Sequence, residues 1–207
     1  MTHGRPRATP LSDLVEGAVP APRTTPLDVL AVARTKWLAG ERLDIGRIAN
    51  ELGLGRATVF RWVGTRENLY GEVCSALFAK ELARARAAAR GTGLVRLVDI
   101  MERLLRSLAA AGPLRRFVAE DPELALRVLT SRASPVQVRC TVAIRELIEE
   151  LVPTPALPPA ELAYIIVRIT ESFLYRDVIT GDEADIEAAI RAIRLLLVAK
   201  PRRRKRS

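Results

Sequence analysis

The 207-residue chain is predicted to be all-α. Three observations carry the prediction. Apolar residues recur three and four positions apart along most of the chain, as they do on one face of a helix. Helix breakers separate these runs: Gly112-Pro113, Asp121-Pro122, Ser134-Pro135, the loop PTPALPP and Gly181-Asp182. Sustained period-two alternation with β-branched residues is missing, and no internal repeat stands out.

Each element follows from local signals. Residues 1–24 carry Pro6, Pro10, Pro20 and Pro22 and are expected to form a mostly disordered leader. Thr25 can cap a first helix, Pro26 suits its first position, and Asp28 complements its positive end. Leu27, Leu30, Ala31, Trp37 and Leu38 share a face of that helix, and Gly40 ends it. Asp44 can cap a second helix, IGRIANEL, which stops at Gly53. A third runs from about Arg56 to Val63 and is broken by Gly64. Thr65 caps a long fourth helix, RENLYGEVCSALFAKELARARAAAR, which ends at the GTG of Gly91 to Gly93. Six more helices are expected, over about 94–111, 114–120, 122–131, 135–151, 159–180 and 183–199.

Composition excludes several classes. A hydrophobic content of 49% supports a real core, and 28% charged residues is ordinary. No run reaches the roughly 20 apolar residues of a membrane span. Asp13 and Glu16 interrupt LSDLVEGAV, so no secretory signal is expected. Cys74 and Cys140 are isolated, which fits reduced thiols and a cytoplasmic protein. The sole histidine, His3, lies in the leader, which argues against histidine-centred catalysis and a histidine-ligated zinc. No phosphate-binding GxxxxGK[ST] loop occurs, nor a strand followed by GxGxxG. An enzyme, a cofactor and a metal are therefore not expected. Of the net charge of +9, six positive charges sit in the tail KPRRRKRS (200–207). The rest is nearly balanced, so any case for nucleic acid depends on where charges are placed. The tail is either a solvated end or a source of sequence-independent phosphate attraction.

The informative stretch surrounds Gly53. Ile48, Leu52 and Leu54 supply apolar contacts around it, and small Ala49 lets the next helix cross closely. Gly53 suits a tight turn at positive φ. Val59, Trp62 and Val63 then lie three to four apart on one face of the third helix. Ala, Gly four later, then apolar residues six and nine beyond the Gly is helix-turn-helix spacing. The other face carries Arg56, Ala57, Phe60 and Arg61, with Arg suited to guanine edges or phosphates.

With its flanks, DIGRIANELGLGRATVFRWVGTRENLYGEV resembles the DNA-binding segment of the TetR family of bacterial regulators. The resemblance covers about Thr25 to Val73, and GRATVFRWVGTRENL with ESFLYRDVITG is further similar to its QsdR-like branch. It implies an N-terminal three-helix helix-turn-helix DNA-binding domain over 25–75. A C-terminal helical ligand-binding and dimerisation domain would follow over 76–199. Arg56, Ala57 and Arg61 would read bases, and Thr58 would touch phosphate or a thymine methyl. Gly55 stands where the family often has a capping Ser or Thr, and Phe60 where it has a phosphate-binding Tyr. Trp62 fills an aromatic or His position, and Arg66 replaces a Lys beside a phosphate. Arg47 and Thr25 are either a surface charge and a cap, or phosphate contacts.

The C-terminal half has no comparable motif. Tyr164, Arg168, Glu171 and Tyr175 interrupt an apolar run. Arg168 and Glu171 either pair along the helix or, with the others and Phe117, line an effector pocket. Two stripes, Ile165, Ile169 and Phe173, and Ile186, Ile190, Ile193 and Leu197, are either core or dimer interface. By the resemblance, the last two long helices pair across a two-fold axis. The expectation is a homodimeric repressor of a palindromic double-stranded DNA operator, released by a small-molecule effector that shifts the fourth helix through Thr65 to Val73. The alternative is a helical ligand- or partner-binding protein without a role in transcription.

Overall fold

A computed structural model describes residues 24–132 and 134–198 and places eleven helices and no strand among them. The leader short of Thr24, with His3, and the basic tail lie outside these residues. Helix α1 (Pro26–Leu38) starts where Asp28 Oδ2 accepts from both Thr25 N–H and Thr25 Oγ1, at 2.7 and 2.8 Å. Asp44 caps α2 (Ile45–Glu51) by accepting from Arg47 N–H at 2.8 Å. Helix α3 (Arg56–Val63) follows, and Thr65 caps α4 (Arg66–Ala88) by accepting from Asn68 N–H at 3.1 Å. Then come α5 (Gly93–Ala110), α6 (Gly112–Glu120), α7 (Pro122–Thr130) and α8 (Pro135–Leu151). The chain ends in α9 (Pro159–Leu174), α10 (Arg176–Thr180) and α11 (Ile186–Val198).

One long helix was expected over 159–180, and the structure breaks it at Tyr175 (φ −108°, ψ 23°). Neither Gly nor Pro marks the break. Its cause is tertiary: Tyr175 is buried among residues of α4 and α7 in the first of two cores.

That first core joins α1, α2, α3 and the N-terminal half of α4 to α6 and α7, through Val29, Ile48, Val59, Leu69, Phe117 and Val128 among others. The second packs the C-terminal half of α4 against α5, α8, α9 and α11. Along α4 the two cores meet between Leu77 and Phe78. Helix α4 runs unbroken through both cores, and α6 and α7 complete the hydrophobic support of the helix-turn-helix.

The second core also decides the function of one apolar stripe. Ile190, Ile193 and Leu197 of α11 are 6%, 2% and 6% exposed within the single chain. They are core and cannot form a dimer seam, and Ile186 packs partly against the same core. The other stripe differs: Ile165, Ile169 and Phe173 of α9 are each only half-buried.

Candidate DNA-reading face and internal cavity

The turn between α2 and α3 has the geometry its residues suggest. Gly53 has φ +64°, and the N–H groups of Gly53 and Leu54 close the turn onto Asn50 O and Ala49 O at 3.2 and 2.8 Å. Ala49 and Val59 are fully buried, so α3 crosses α2 closely with Val59 and Val63 facing inward. Trp62 is half-buried and packs against the same core, as a residue that holds the helix down. The opposite face is open: Gly55, Arg56, Ala57, Phe60 and Arg61 are exposed and Thr58 is half-exposed. The Arg56 guanidinium lies 5.2 Å from the Phe60 ring centroid, a cation–π contact that arranges two of these side chains together. Arg47 is exposed on α2.

Arg66 is the first residue of α4. Its guanidinium lies 5.5 Å from the Tyr70 ring, and its Nε is buried. It lines a crevice between α1, α4 and α6 together with Glu41, Arg42, Arg116, Glu120 and Asp121. The Thr25 hydroxyl is likewise engaged by Asp28.

Helix α4 grips this unit at two points. Asn68 Nδ2 donates to Val63 O, the C-terminal turn of α3, at 2.8 Å. Leu43 N–H donates to Tyr70 Oη at 2.9 Å, a buried bond that ties the α1–α2 loop to α4. The Tyr70 ring stacks on Phe117 of α6, with centroids 4.7 Å apart and planes 6° from parallel. Phe117 is thus part of the support for the helix-turn-helix. It does not line the pocket it was expected to share with Glu171: it packs with Tyr70 in the first core and borders the crevice beside Arg66.

One to three turns further along α4, Cys74, Leu77, Phe78 and Glu81 line a cavity of about 390 Å³. Its other walls come from α5, α8 and α9, with Trp37 and Leu38 from the end of α1. Glu171 and Tyr175 lie on this wall. Tyr164 does not, because it stands on the outer face of α9, 56% exposed. Arg168 does not either: its guanidinium lies 2.9 Å from Glu171 Oε2 at the edge of the protein and donates to Thr130 O. Gln137 Nε2 donates to Glu171 Oε1. Burial pushes the Glu171 carboxyl up to about 7, against the opposing pull of the Arg168 charge and the Gln137 bond. Burial also pushes the thiols of Cys74 and Cys140, both on the cavity wall, up to about 12, so they are small apolar fillers and not nucleophiles.

Residues 92–198 match the family described as tetracyclin repressor-like, C-terminal domain, which is just over half of the chain. The chain belongs to the TetR family. The matched segment lies outside Thr25 to Val73, so it supports independently what the helix-turn-helix motif suggests. The fold is similar to that of the R. erythropolis transcriptional repressor QsdR, from the TetR family. The TM-score is 0.78 at 28% identity, over 87% of this chain and 97% of that one. It is also similar to AlkX, a TetR-family repressor from Dietzia sp. strain DQ12-45-1b implicated in biodegradation of n-alkanes. There the TM-score is 0.56 at 24% identity, over 84% of this chain and 97% of that one, a likeness of fold alone. No curated protein matches the chain significantly. As a TetR-family member, the protein is a transcriptional regulator and not an enzyme. Among the described residues no helix is long and apolar enough to cross a membrane.

Several residues of this TetR-family cavity escaped sequence reasoning. Trp37 and Leu38 look like any apolar face of a first helix, yet they close the cavity from the DNA-binding side. Gly71 is another. A Cβ there would lie 2.7 Å from Pro135 Cγ and 3.0 Å from its Cδ, so the glycine lets α4 touch the start of α8. The sole sequence signal was a Gly inside a helical run, which normally has a packing reason.

Proposed function

We propose that the protein is a homodimeric repressor that binds a palindromic operator through α3 and is released by a small molecule in the cavity. The single observation that carries this is α4. One unbroken helix fastens α3 and the α1–α2 loop at Asn68 and Tyr70, then forms a cavity wall from Cys74 to Glu81. A ligand that prefers a different seating of α4 therefore changes the seating of the reading head. Repression as the output is supported by the likeness to QsdR, whose description is of a transcriptional repressor.

Dimerisation supplies the second reading head. Two recognition helices about 34–36 Å apart fit successive major grooves on one side of the duplex. The faces of α9 and α11 left partly open support this, namely Ile165, Ile169 and Phe173 with Ala188, Ala192 and Leu195. They replace the buried Ile190, Ile193 and Leu197 as the proposed seam. Arg56, Ala57 and Arg61 are the proposed base readers, with Thr58, Phe60 and Arg47 against the backbone.

Footprinting on DNA upstream of the protein's own coding sequence, joined to light scattering of the complex, tests the reading. Two protected half-sites one helical turn apart, with chains bound in pairs, are expected. One chain per site, or no protected site, would overturn it.

A further inference from the structure

We propose that the cavity takes an uncharged small molecule with an apolar body and one hydrogen-bond-donating head, a hydroxyl or amide N–H, seated on Thr170 and Glu171. The inference rests on the reading of the cavity as the effector site. The body follows from the walls, which are mostly apolar, with Leu, Ile and Met the most frequent among them. At about 30 Å³ per water-sized group, a volume near 390 Å³ seats roughly a dozen heavy atoms.

The head follows from two polar atoms. Thr170 Oγ1 and Glu171 Oε2 are both buried and, among the described residues, neither has a hydrogen-bond partner. Glu171 is 93% buried as a residue, being 7% exposed. Its Oε1 is satisfied by Gln137, and the Arg168 guanidinium near Oε2 is not aligned to donate to it. Adjacent on the last turn of α9 and both on the cavity wall, these atoms form an acceptor and a donor-acceptor. A buried acceptor of this kind calls for a donor. The polar groups on the α4 wall, Glu81 and Arg84, offer no equal because they bind each other: Glu81 Oε2 accepts from Arg84 Nη1 at 3.2 Å and from Ser107 Oγ at 2.8 Å.

Charge selects further. Glu171 is already balanced by Arg168. A carboxylate head would set a second anion beside Glu171. An ammonium head would leave one positive charge unbalanced in an apolar cavity. Both cost far more than an uncharged head.

The test uses the full chain carrying Trp62→Phe, so that Trp37 on the cavity wall is the remaining tryptophan. Four probes with eight-carbon chains are titrated at pH 8.5, where the Glu171 carboxyl is ionised, by calorimetry and Trp37 fluorescence: 1-octanol, methyl octanoate, octanoate and octylammonium. 1-Octanol should perturb Trp37 and bind roughly tenfold more tightly than the acceptor-only ester, with both ions weaker still. Thr170→Val and, separately, Glu171→Leu should bring 1-octanol down to the level of the ester while the ester still perturbs Trp37. Octanoate or octylammonium binding as well as 1-octanol would overturn the head-group assignment and leave the cavity as a ligand site. So would equal affinity for 1-octanol in wild type and both variants. If no probe perturbs Trp37, the cavity reading falls as well.

Discussion

Phe60 and Glu171 show how single side chains set the two ends of the regulator. Phe60 stands on the open face of α3, 36% exposed and beneath the Arg56 guanidinium. A hydroxyl at its para position would add one phosphate hydrogen bond of about 1 kcal/mol. Phe60→Tyr should therefore tighten operator binding, tenfold or less, as read by fluorescence anisotropy. An unchanged or weaker affinity would contradict the alignment of Phe60 with the phosphate-binding Tyr. Glu171 makes a prediction in pH. Its carboxyl is raised in the folded state to about 7 from an ordinary 4.5. The native state therefore holds the proton more tightly than the unfolded chain. The resulting stability is full below about pH 4.5 and is lost as pH rises through 7. Glu171→Gln, which cannot ionise, should be more stable than wild type at pH 8 by on the order of 1–3 kcal/mol. The advantage should vanish near pH 5, and denaturant unfolding at the two pH values checks it.

At the scale of elements, α4 is the part to perturb. Gly71 lets it lie against Pro135, whose ring is fixed to the backbone at the start of α8 and cannot swing aside. Gly71→Ala should cost about 1–3 kcal/mol of stability by overpacking. It should also alter operator affinity without touching the reading face. A variant as stable as wild type with unchanged affinity would count against this contact as a joint. Much of the element structure was legible in the sequence, because caps and breakers act locally. Asp44 and Thr65 each cap the helix they were placed to start, and Asp121 and Ser134, read as part of helix breakers, cap α7 and α8. The open face of α3 was legible for the same reason, since one helix of eight residues has an inner and an outer side set by its own spacing. What could not be read came from long-range packing. The break at Tyr175, the turn of Arg66 onto Tyr70 and the loss of Phe117 to the first core all depend on residues remote in the sequence. A stripe of Ile on α11 likewise carries no mark that separates core from interface.

The whole molecule adds assembly. If the seam lies on the open side of α9 and α11, Leu195, 71% exposed, belongs to it, and Ile193, 2% exposed, does not. Leu195→Glu should weaken the dimer at least about tenfold while leaving the monomer folded. Ile193→Ala should instead destabilise the fold by about 2–4 kcal/mol. Sedimentation over a concentration series separates the two, and a dimer unaffected by Leu195→Glu would place the seam elsewhere. The central claim is that α3 reads DNA with the face opposite its buried Val59 and Val63. The most direct measurement is anisotropy with DNA from upstream of the coding sequence against a scrambled duplex, for wild type and for Arg56→Ala with Arg61→Ala. Wild type should prefer the upstream fragment at least about a hundredfold, and the double variant should lose most of that preference while keeping weak, salt-sensitive binding. Equal affinity of wild type for both duplexes, or a double variant that discriminates as well as wild type, would contradict it.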